Sequence, residues 1–203
     1  MTAGRLIAFE GVDGTGKTTQ IALLRDRLIA EGLPPLVTRE PTDGPHGRRL
    51  RELFHDRARV GGPTEELELF LADRRQHVTE LIGPALAQGR IVLTDRYYFS
   101  TAAYQGAAGL DPAEILARND FAPQPDLVLL LTLPLSAALA RIRARPGEQP
   151  NDFEQESQLR QVTAIYESFF QPCIRRIDAK RPIAEIAQDI WAHVRTILPA
   201  NGV

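Results

Sequence analysis

The chain has 203 residues, of which 43% are hydrophobic and 25% are charged, and its formal net charge at pH 7 is −2. These proportions are near the average for globular proteins, so the composition excludes wholesale disorder. Since a domain has roughly 100–200 residues, the length predicts a single domain over 1–203. The balance of 24 basic and 26 acidic residues argues against a dedicated nucleic-acid-binding protein, because contacts to backbone phosphates usually require a basic surplus.

The number of cysteines and the lengths of the apolar runs indicate the cellular compartment of the protein. The single cysteine, Cys173, excludes an internal disulfide bond, and we interpret it as a small, half-buried hydrophobic residue. The longest apolar run, at 127–135, is far shorter than the ~20 residues that span a bilayer. We therefore expect a cytoplasmic protein with no membrane segment.

Short apolar runs and helical patterns alternate along the first half of the chain. The runs at 6–9, 36–38 and 91–94 predict strands of a buried parallel sheet. Apolar residues at helical spacing predict helices at 21–29, 48–55 and 65–88, the last interrupted at Pro84.

The second half continues the alternation. The run at 127–131 is apolar on both faces, which favours a central strand, and a weaker strand is predicted at 173–177. Helices are predicted at 112–121, 134–142, 159–169 and 183–194, with a polar loop at 146–152. Strands that alternate with helices predict an α/β fold, in which helices cover both faces of a parallel sheet and ligands bind at the carboxyl ends of the strands.

The segment from Gly11 to Thr18 matches the phosphate-binding loop G-x-x-x-x-G-K-[ST] at every position. It lies between a predicted strand and a predicted helix, which is the context that this motif requires. Glycines let successive backbone N–H groups point inward, and the helix N-terminus adds a partial positive charge. In such a loop Lys17 reaches the β- and γ-phosphates and the Thr18 hydroxyl binds Mg²⁺. The motif predicts a nucleotide site, although it does not define the reaction.

Phosphate-binding loops of this kind occur in kinases, GTPases, motors and signalling switches. A GTPase requires an Asn-Lys-x-Asp guanine motif, which the sequence lacks, and the large ATPase machines require a longer chain.

Further motifs narrow this choice. They are Phe-Glu-Gly-Val-Asp-Gly-Thr-Gly-Lys-Thr-Thr-Gln at 9–20, Thr-Arg-Glu-Pro at 38–41, Phe-Leu-Ala-Asp-Arg at 70–74, Asp-Arg-Tyr at 95–97, Ser-Thr-Ala-Ala-Tyr-Gln-Gly at 100–106, Pro-Asp-Leu at 125–127 and Ile-Asp-Ala at 177–179. In these motifs the chain resembles bacterial thymidylate kinases over essentially its whole length. The resemblance implies the three-layer P-loop NTPase fold with a lid loop, and a homodimer.

The resemblance also implies how the nucleotide is held. The expected ATP-binding residues are Gly11, Val12, Asp13, Gly14, Thr15, Gly16, Lys17, Thr18, Thr19 and Arg141. Mg²⁺ is the expected cofactor, with Thr18 and Asp95 as its protein contacts. Lys17, Asp13 and Arg96 are expected to take part in catalysis.

The same resemblance implies an acceptor site for dTMP. Its expected members are Asp13, Arg39, Arg51, Phe70, Arg74, Arg96, Ser100, Tyr104 and Gln105. In the family, the arginines corresponding to Arg39, Arg51 and Arg96 lie near the acceptor phosphate. Phe70 stacks on thymine, Arg74 contacts a base carbonyl, and the remaining residues lie near the sugar and base. The loop at 42–47, Thr-Asp-Gly-Pro-His-Gly, departs from the Gly-Gly-Thr that the family usually has there.

A second departure lies in the expected lid, at about 143–153. Arg143 and Arg145 are expected to supply positive charge around the γ-phosphate, since catalysis of phosphoryl transfer consists mainly of positioning and charge stabilisation. The lid sequence Asn-Asp-Phe-Glu at 151–154 has Asp152 where the family commonly has arginine. The alternative for the arginines is a solvated helix end, where basic residues are favoured.

The function implied is phosphorylation of dTMP to dTDP by Mg-ATP in nucleotide biosynthesis, with no nucleic acid or membrane partner. Two alternatives remain at this point. One is a kinase of the same fold for another nucleoside monophosphate, indicated by the altered loop at 42–47. The other is a weakly catalytic nucleotide-binding paralogue, indicated by the altered lid.

Overall fold

The computed structural model describes residues 4–55, 61–144 and 152–198, without the side chains of 55 and 152–155. Within these residues, five parallel strands form one sheet in the order β2-β3-β1-β4-β5. The strands are β1 Arg5–Glu10, β2 Leu36–Arg39, β3 Ile91–Asp95, β4 Leu127–Thr132 and β5 Ile174–Asp178. The α/β fold with a parallel sheet is confirmed, and each predicted strand forms within about one residue of its predicted ends.

Helices flank the sheet. They are α1 Lys17–Ala30, α2 Pro45–His55, α3 Pro63–His77, α4 Gly83–Ala87, α5 Tyr98–Ala107, α6 Pro112–Ala117, α7 Leu135–Arg143, α8 Asp152–Glu167 and α9 Ile183–Arg195, with a π-helical turn at Val78–Ile82. The helix α1 packs on α9, and α5 packs on α8. The core lies between these helices and the central strands β1 and β4, whose interior residues are apolar and buried. Over the described ranges, no helix is both long and apolar enough to cross a membrane.

One helical prediction needs correction, and one helix was not predicted. The helix predicted at 65–88 is interrupted by the π-helical turn at Val78–Ile82, upstream of Pro84, and Pro84 lies in the first turn of α4. Proline has no N–H to donate to the preceding turn, and a widened turn accommodates the missing hydrogen bond. The helix α5 was not predicted, because small residues fill its buried face and leave no clear helical pattern.

The register of the strands brings polar residues together at the carboxyl edge of the sheet. Asp95 at the end of β3 is opposite Phe9 of β1 and Arg39 of β2. The loop that follows β1 carries the phosphate-binding motif, and the residue after β3 is Arg96. The fold therefore gathers the phosphate-binding loop, Arg39, Asp95 and Arg96 at one edge of the sheet.

Candidate active site

The phosphate-binding loop folds back over the end of β4. Gly11 has φ +126° and Gly14 has φ +82°, backbone conformations that favour glycine. A Cβ added to Gly11 would lie 2.4 Å from the carbonyl oxygen of Leu131, so the close approach of the loop to β4 also requires glycine. The loop ends at Gly16, and Lys17 begins α1.

Lys17 lies against its own loop. Its Nζ donates to the carbonyl oxygens of Gly11 at 3.0 Å and Val12 at 3.2 Å, and the side chain is buried. Burial, and then the positive charge of Arg96, lower the pKa of Lys17 to about 8. Phosphate oxygens would oppose both effects, so this site favours an anionic ligand beside the ammonium group.

Thr18 and Asp95 form the part of the site suited to Mg²⁺. The Thr18 hydroxyl donates to Asp95 Oδ2 at 3.1 Å, and both side chains border a cavity of about 200 Å³ together with Lys17. Within the described ranges, no group of three or more acidic, histidine or cysteine side chains could hold a metal ion. Two hard oxygen donors nevertheless fit Mg²⁺, which proteins usually bind through one or two carboxylates completed by phosphates and water.

A second cavity, of about 310 Å³, adjoins the first. Its lining includes the expected acceptor residues Asp13, Phe70, Arg96, Ser100, Tyr104 and Gln105. Phe70 presents an aromatic ring from α3, and the ring of Phe54 lies 6.2 Å away, centroid to centroid. The volume and the mixed aromatic and polar wall suit a small amphipathic ligand.

The ion pair between Asp13 and Arg96 lies on the wall that the two cavities share. Arg96 Nη2 donates to Asp13 Oδ1 at 2.7 Å and to the Tyr104 hydroxyl at 3.4 Å, while Nη1 donates to Ser100 Oγ at 3.0 Å. The guanidinium also lies over the Tyr104 ring, 5.1 Å from its centroid. Three side chains therefore orient one arginine at the junction of the cavities.

Arg39 and Arg51 both donate hydrogen bonds to the same carboxylate oxygen, Oδ1 of Asp43. Arg39 Nη2 and Arg51 Nη2 each donate to Asp43 Oδ1 at 2.9 Å, and Arg51 Nη1 donates to the Pro41 carbonyl at 3.0 Å. The hydrogen bond and the charge of Arg39 hold the pKa of Asp43 below its ordinary value. The unusual loop at 42–47 thus supplies an anion that unites the two predicted phosphate-binding arginines.

Arg74 lies behind the wall of the acceptor cavity, and is absent from the described lining. Its guanidinium donates to Glu40 Oε2 from Nε at 2.9 Å, to Asn119 Oδ1 at 2.6 Å and to Thr101 Oγ1 at 2.9 Å. Only 1% of the residue is exposed. Buried partners therefore hold the guanidinium of Arg74 inward. Its contact with a base carbonyl stays a prediction.

The lid is only partly within the described residues. Arg141 of α7 donates to the carbonyl oxygens of Gly14 at 3.3 Å and Ala179 at 3.1 Å, so it joins the phosphate-binding loop to the loop after β5. Arg143 is the last residue of α7, whereas Arg145 lies outside the described residues. Asp152 begins α8, but its side chain is not described. The expected roles of these lid residues stay predictions.

Sequence reasoning missed several residues of the acceptor cavity. Its wall also contains Pro41, Phe54, Glu66, Thr101, Ala108 and Gln158. Thr101 could have been predicted, because it lies next to Ser100 in the motif at 100–106. Gln158 of α8 was not, because no local pattern predicts which face of α8 meets α5.

Comparisons with known proteins identify the family of the chain. A family model described as thymidylate kinase matches residues 9–190. The thymidylate kinase of Desulfotalea psychrophila is 51% identical over 195 residues, which cover 96% of this chain and 96% of that protein. The thymidylate kinase of Xanthomonas campestris is 49% identical over 193 residues, covering 94% of this chain and 83% of that protein. Likeness this close over nearly the whole length shows that the chain belongs to the thymidylate kinase family.

Proposed function

We propose that this site transfers the γ-phosphoryl group of ATP to dTMP, giving ADP and dTDP. The observation that carries the proposal is the Asp13–Arg96 pair, which borders both the phosphate-loop cavity and the acceptor cavity. A nucleoside triphosphate in the first cavity and a monophosphate in the second would meet at this pair. Such proximity supplies much of the catalysis of a reaction between two bound substrates.

On the donor side, the backbone N–H groups of the phosphate-binding loop hold the phosphates. Lys17 leaves its carbonyl partners for the β- and γ-phosphates, because a full anionic charge is a stronger acceptor than a carbonyl oxygen. The oxygens of Thr18 and Asp95 would hold Mg²⁺, which neutralises phosphate charge when it is bound. Arg141 lies against the loop from α7 and supports the nucleotide there.

On the acceptor side, Arg96, Arg39 and Arg51 bind the phosphate of dTMP. One of its oxygens attacks the γ-phosphorus in line, the new P–O bond forms, and the bond to the β-phosphate oxygen breaks to release ADP. No covalent enzyme intermediate is required. Phe70 stacks on the base, while Ser100, Tyr104 and Gln105 enclose the sugar and base.

Lys17, Arg96 and the lid stabilise the negative charge of the γ-phosphoryl group during transfer. We propose Arg143 and Arg145 as the lid's contribution, and Asp13 as the carboxylate that aligns Arg96 and the acceptor sugar. This division follows from the loose transition state of phosphoryl transfer, in which charge spreads over the γ-phosphoryl oxygens.

We also propose that residues 1–203 act as one kinase domain, in the cytoplasm and as a homodimer. The single domain is supported by the one continuous five-stranded sheet. The cytoplasmic location and the homodimer rest on the family resemblance alone. Sedimentation of the purified protein over a range of concentrations tests the homodimer.

A coupled assay of ADP release with dTMP, dUMP, dCMP, dGMP and AMP tests the function. We expect dTMP to have the highest kcat/KM by a wide margin. A preference for another monophosphate, or no turnover with any of them, would support one of the two alternatives. Neither is favoured, since curated relatives named thymidylate kinase are 48–51% identical to this chain.

A further inference from the structure

Glu10, the last residue of β1, has a fully buried carboxylate to which the reaction above gives no role. Its Oε1 accepts from the backbone N–H of Tyr97 at 2.9 Å and of Ser100 at 3.2 Å. Its Oε2 accepts from the Ser100 hydroxyl and from the Tyr166 hydroxyl, the latter at 3.0 Å. The carboxylate of Glu10 thus joins β1 to the start of α5 and to α8.

The backbone contacts of Glu10 lie next to a strained residue. Arg96 has φ +71°, a left-handed conformation that a side chain other than glycine rarely adopts. Its own N–H donates to the Phe9 carbonyl at 2.9 Å, and the next N–H, of Tyr97, donates to Glu10. The end of β1 therefore holds the backbone on both sides of the strained bond.

The side-chain contacts of Glu10 reach the guanidinium of Arg96. Arg96 Nη1 donates to Ser100 Oγ at 3.0 Å, and the Ser100 hydroxyl donates its proton to Glu10. A guanidinium only donates, so Ser100 Oγ accepts from Arg96, and the Ser100 hydroxyl proton is directed to Glu10. Glu10 acts on one side of Arg96 through Ser100, and Asp13 acts directly on the other side at 2.7 Å.

Tyr166 connects the hydrogen bonds of Glu10 and Ser100 to α8. Its hydroxyl lies 2.8 Å from Ser100 Oγ as well as 3.0 Å from Glu10 Oε2, and it is buried. The same helix supplies Gln158 to the wall of the acceptor cavity. A displacement of α8 would therefore be transmitted to Arg96 through buried hydrogen bonds.

We propose that Glu10 is a positioning residue that holds Arg96 toward the acceptor phosphate, through the backbone at Tyr97 and the hydroxyl of Ser100, and that ties this orientation to α8 through Tyr166. The inference rests on the proposed role of Arg96 at the acceptor phosphate. Burial raises the pKa of Glu10, and the Ser100 hydrogen bond and the Arg96 charge only partly oppose this rise. The protein thus retains a costly buried acid at the place where Arg96 must be oriented.

The test is Glu10→Gln, which keeps the shape of the side chain. The amide oxygen can still accept both N–H groups and the amide nitrogen can donate to the hydroxyls, but the negative charge behind Ser100 is lost. We expect the dissociation constant of dTMP to rise about tenfold, as expected when a charge-assisted chain becomes neutral. The dissociation constant of thymidine, measured by the same calorimetry, should change less than twofold, because thymidine has no phosphate to place on Arg96.

A double-mutant cycle with Arg96→Ala separates positioning from general stability. In the Arg96→Ala background, Glu10→Gln should change the dTMP dissociation constant by less than about twofold. Equal effects in the two backgrounds, or an equal loss of thymidine and dTMP binding, would overturn the proposal. Unchanged dTMP binding in the folded Glu10→Gln protein would do the same.

Tyr166→Phe provides a second variant, which carries the same cycle if Glu10→Gln does not fold. We expect a smaller weakening of dTMP binding, about threefold, because one of several hydrogen bonds is lost. Tyr97→Phe is the matched control, since its buried hydroxyl donates to the Pro123 carbonyl at 3.2 Å and not to Glu10. If the two variants weaken dTMP binding equally, the link through α8 is wrong. Wild-type turnover of dTMP tests the proposed function separately, and the cycle uses whichever monophosphate the wild type phosphorylates.

Discussion

Gly11 is the residue whose conformation and surroundings together restrict the phosphate-binding loop most. Alanine at this position would combine a left-handed backbone with a Cβ 2.4 Å from the Leu131 carbonyl oxygen. We expect Gly11→Ala to move the loop away from β4 and to lower kcat/KM for ATP by at least about tenfold, because the left-handed conformation alone costs ~1–2 kcal/mol. Steady-state kinetics with varied ATP measures the effect.

Gly32→Ala is the matched control, because Gly32 has φ +76° but nothing lies within 4 Å of an added Cβ. It should lower the free energy of unfolding by ~1–2 kcal/mol and leave the KM for ATP unchanged. Similar kinetic losses in the two variants would mean that general destabilisation of the fold, and not the contact of the loop with β4, causes the loss.

Asp43 binds both of the arginines that we propose for the acceptor phosphate. If Asp43 competes with that phosphate, then Asp43→Ala lowers the KM for dTMP, by no more than about fivefold since exposed ion pairs contribute little. Asp26→Ala, which removes another exposed aspartate paired with an arginine, should leave this KM unchanged. A higher KM for dTMP in Asp43→Ala would instead show that Asp43 helps to hold Arg39 and Arg51 in place.

Site residues could be predicted from the sequence where a motif specifies a local backbone, and less well where the partner is distant. The glycines and Lys17 of the phosphate-binding loop belong to one such motif. The 2.7 Å contact of Asp13 with Arg96 joins residues 83 positions apart, and only the register of β1 with β3 creates it. Arg74 was predicted on the right helix, but helical spacing could not reveal that Glu40 and Asn119 turn it inward.

At the scale of elements, a buried polar cluster joins the end of β2 to α3. Glu40 accepts from Arg74, and its Oε1 lies 3.0 Å from His77 Nδ1. Burial alone would raise the pKa of Glu40, but the charge of Arg74 and the contact with His77 outweigh it and lower that pKa. A carboxylate with a depressed pKa stabilises the fold above its ordinary pKa of 4.5, and this contribution disappears as the pH falls through the folded-state pKa.

We therefore expect Glu40→Gln to lower the free energy of unfolding at neutral pH by about 3–5 kcal/mol, since Arg74 would keep a buried charge without its carboxylate. The variant should also lose less stability than the wild type on acidification below pH 4.5. Urea unfolding at a series of pH values measures both effects. Glu68→Gln, which removes an exposed ion pair with Arg118, should cost ~1 kcal/mol or less. If the free energy of unfolding of Glu40→Gln falls below pH 4.5 as steeply as that of the wild type, this account is wrong.

Prediction of the elements succeeded where burial is uniform and failed where packing is mixed. The strands β1, β3 and β4 each contain an uninterrupted run of three or more buried apolar residues, because helices cover both faces of the sheet. The helix α5 packs small residues against its neighbours and presents Tyr104 to a cavity, so its sequence has no regular apolar stripe. Its start depends on Glu10, which is distant in the chain, so no local signal could reveal it.

At the scale of the whole molecule, the charge that surrounds the transferred group comes from separate parts of the chain. Lys17 and Arg96 lie at the carboxyl edge of the sheet, whereas the lid follows α7, whose last residue is Arg143. The family commonly places an arginine in the lid where this chain has Asp152. Under the proposed mechanism, the distribution of positive charge between lid and sheet would set the rate of phosphoryl transfer.

We expect Asp152→Arg to raise kcat while leaving the KM for dTMP and for ATP nearly unchanged. The reason is that positive charge near the γ-phosphoryl group matters most as charge moves during transfer. The gain should stay well below the roughly 10³–10⁵ that an arginine contributes in related phosphoryl transfers, because we propose that Arg143 and Arg145 supply part of the charge. Arg143→Ala combined with Arg145→Ala should accordingly lower kcat. Single-turnover kinetics at saturating substrates measures the transfer step itself. If Asp152→Arg has no effect and the double alanine variant abolishes turnover, the two arginines already supply all of the lid's charge; if neither change matters, the lid is not catalytic in this chain.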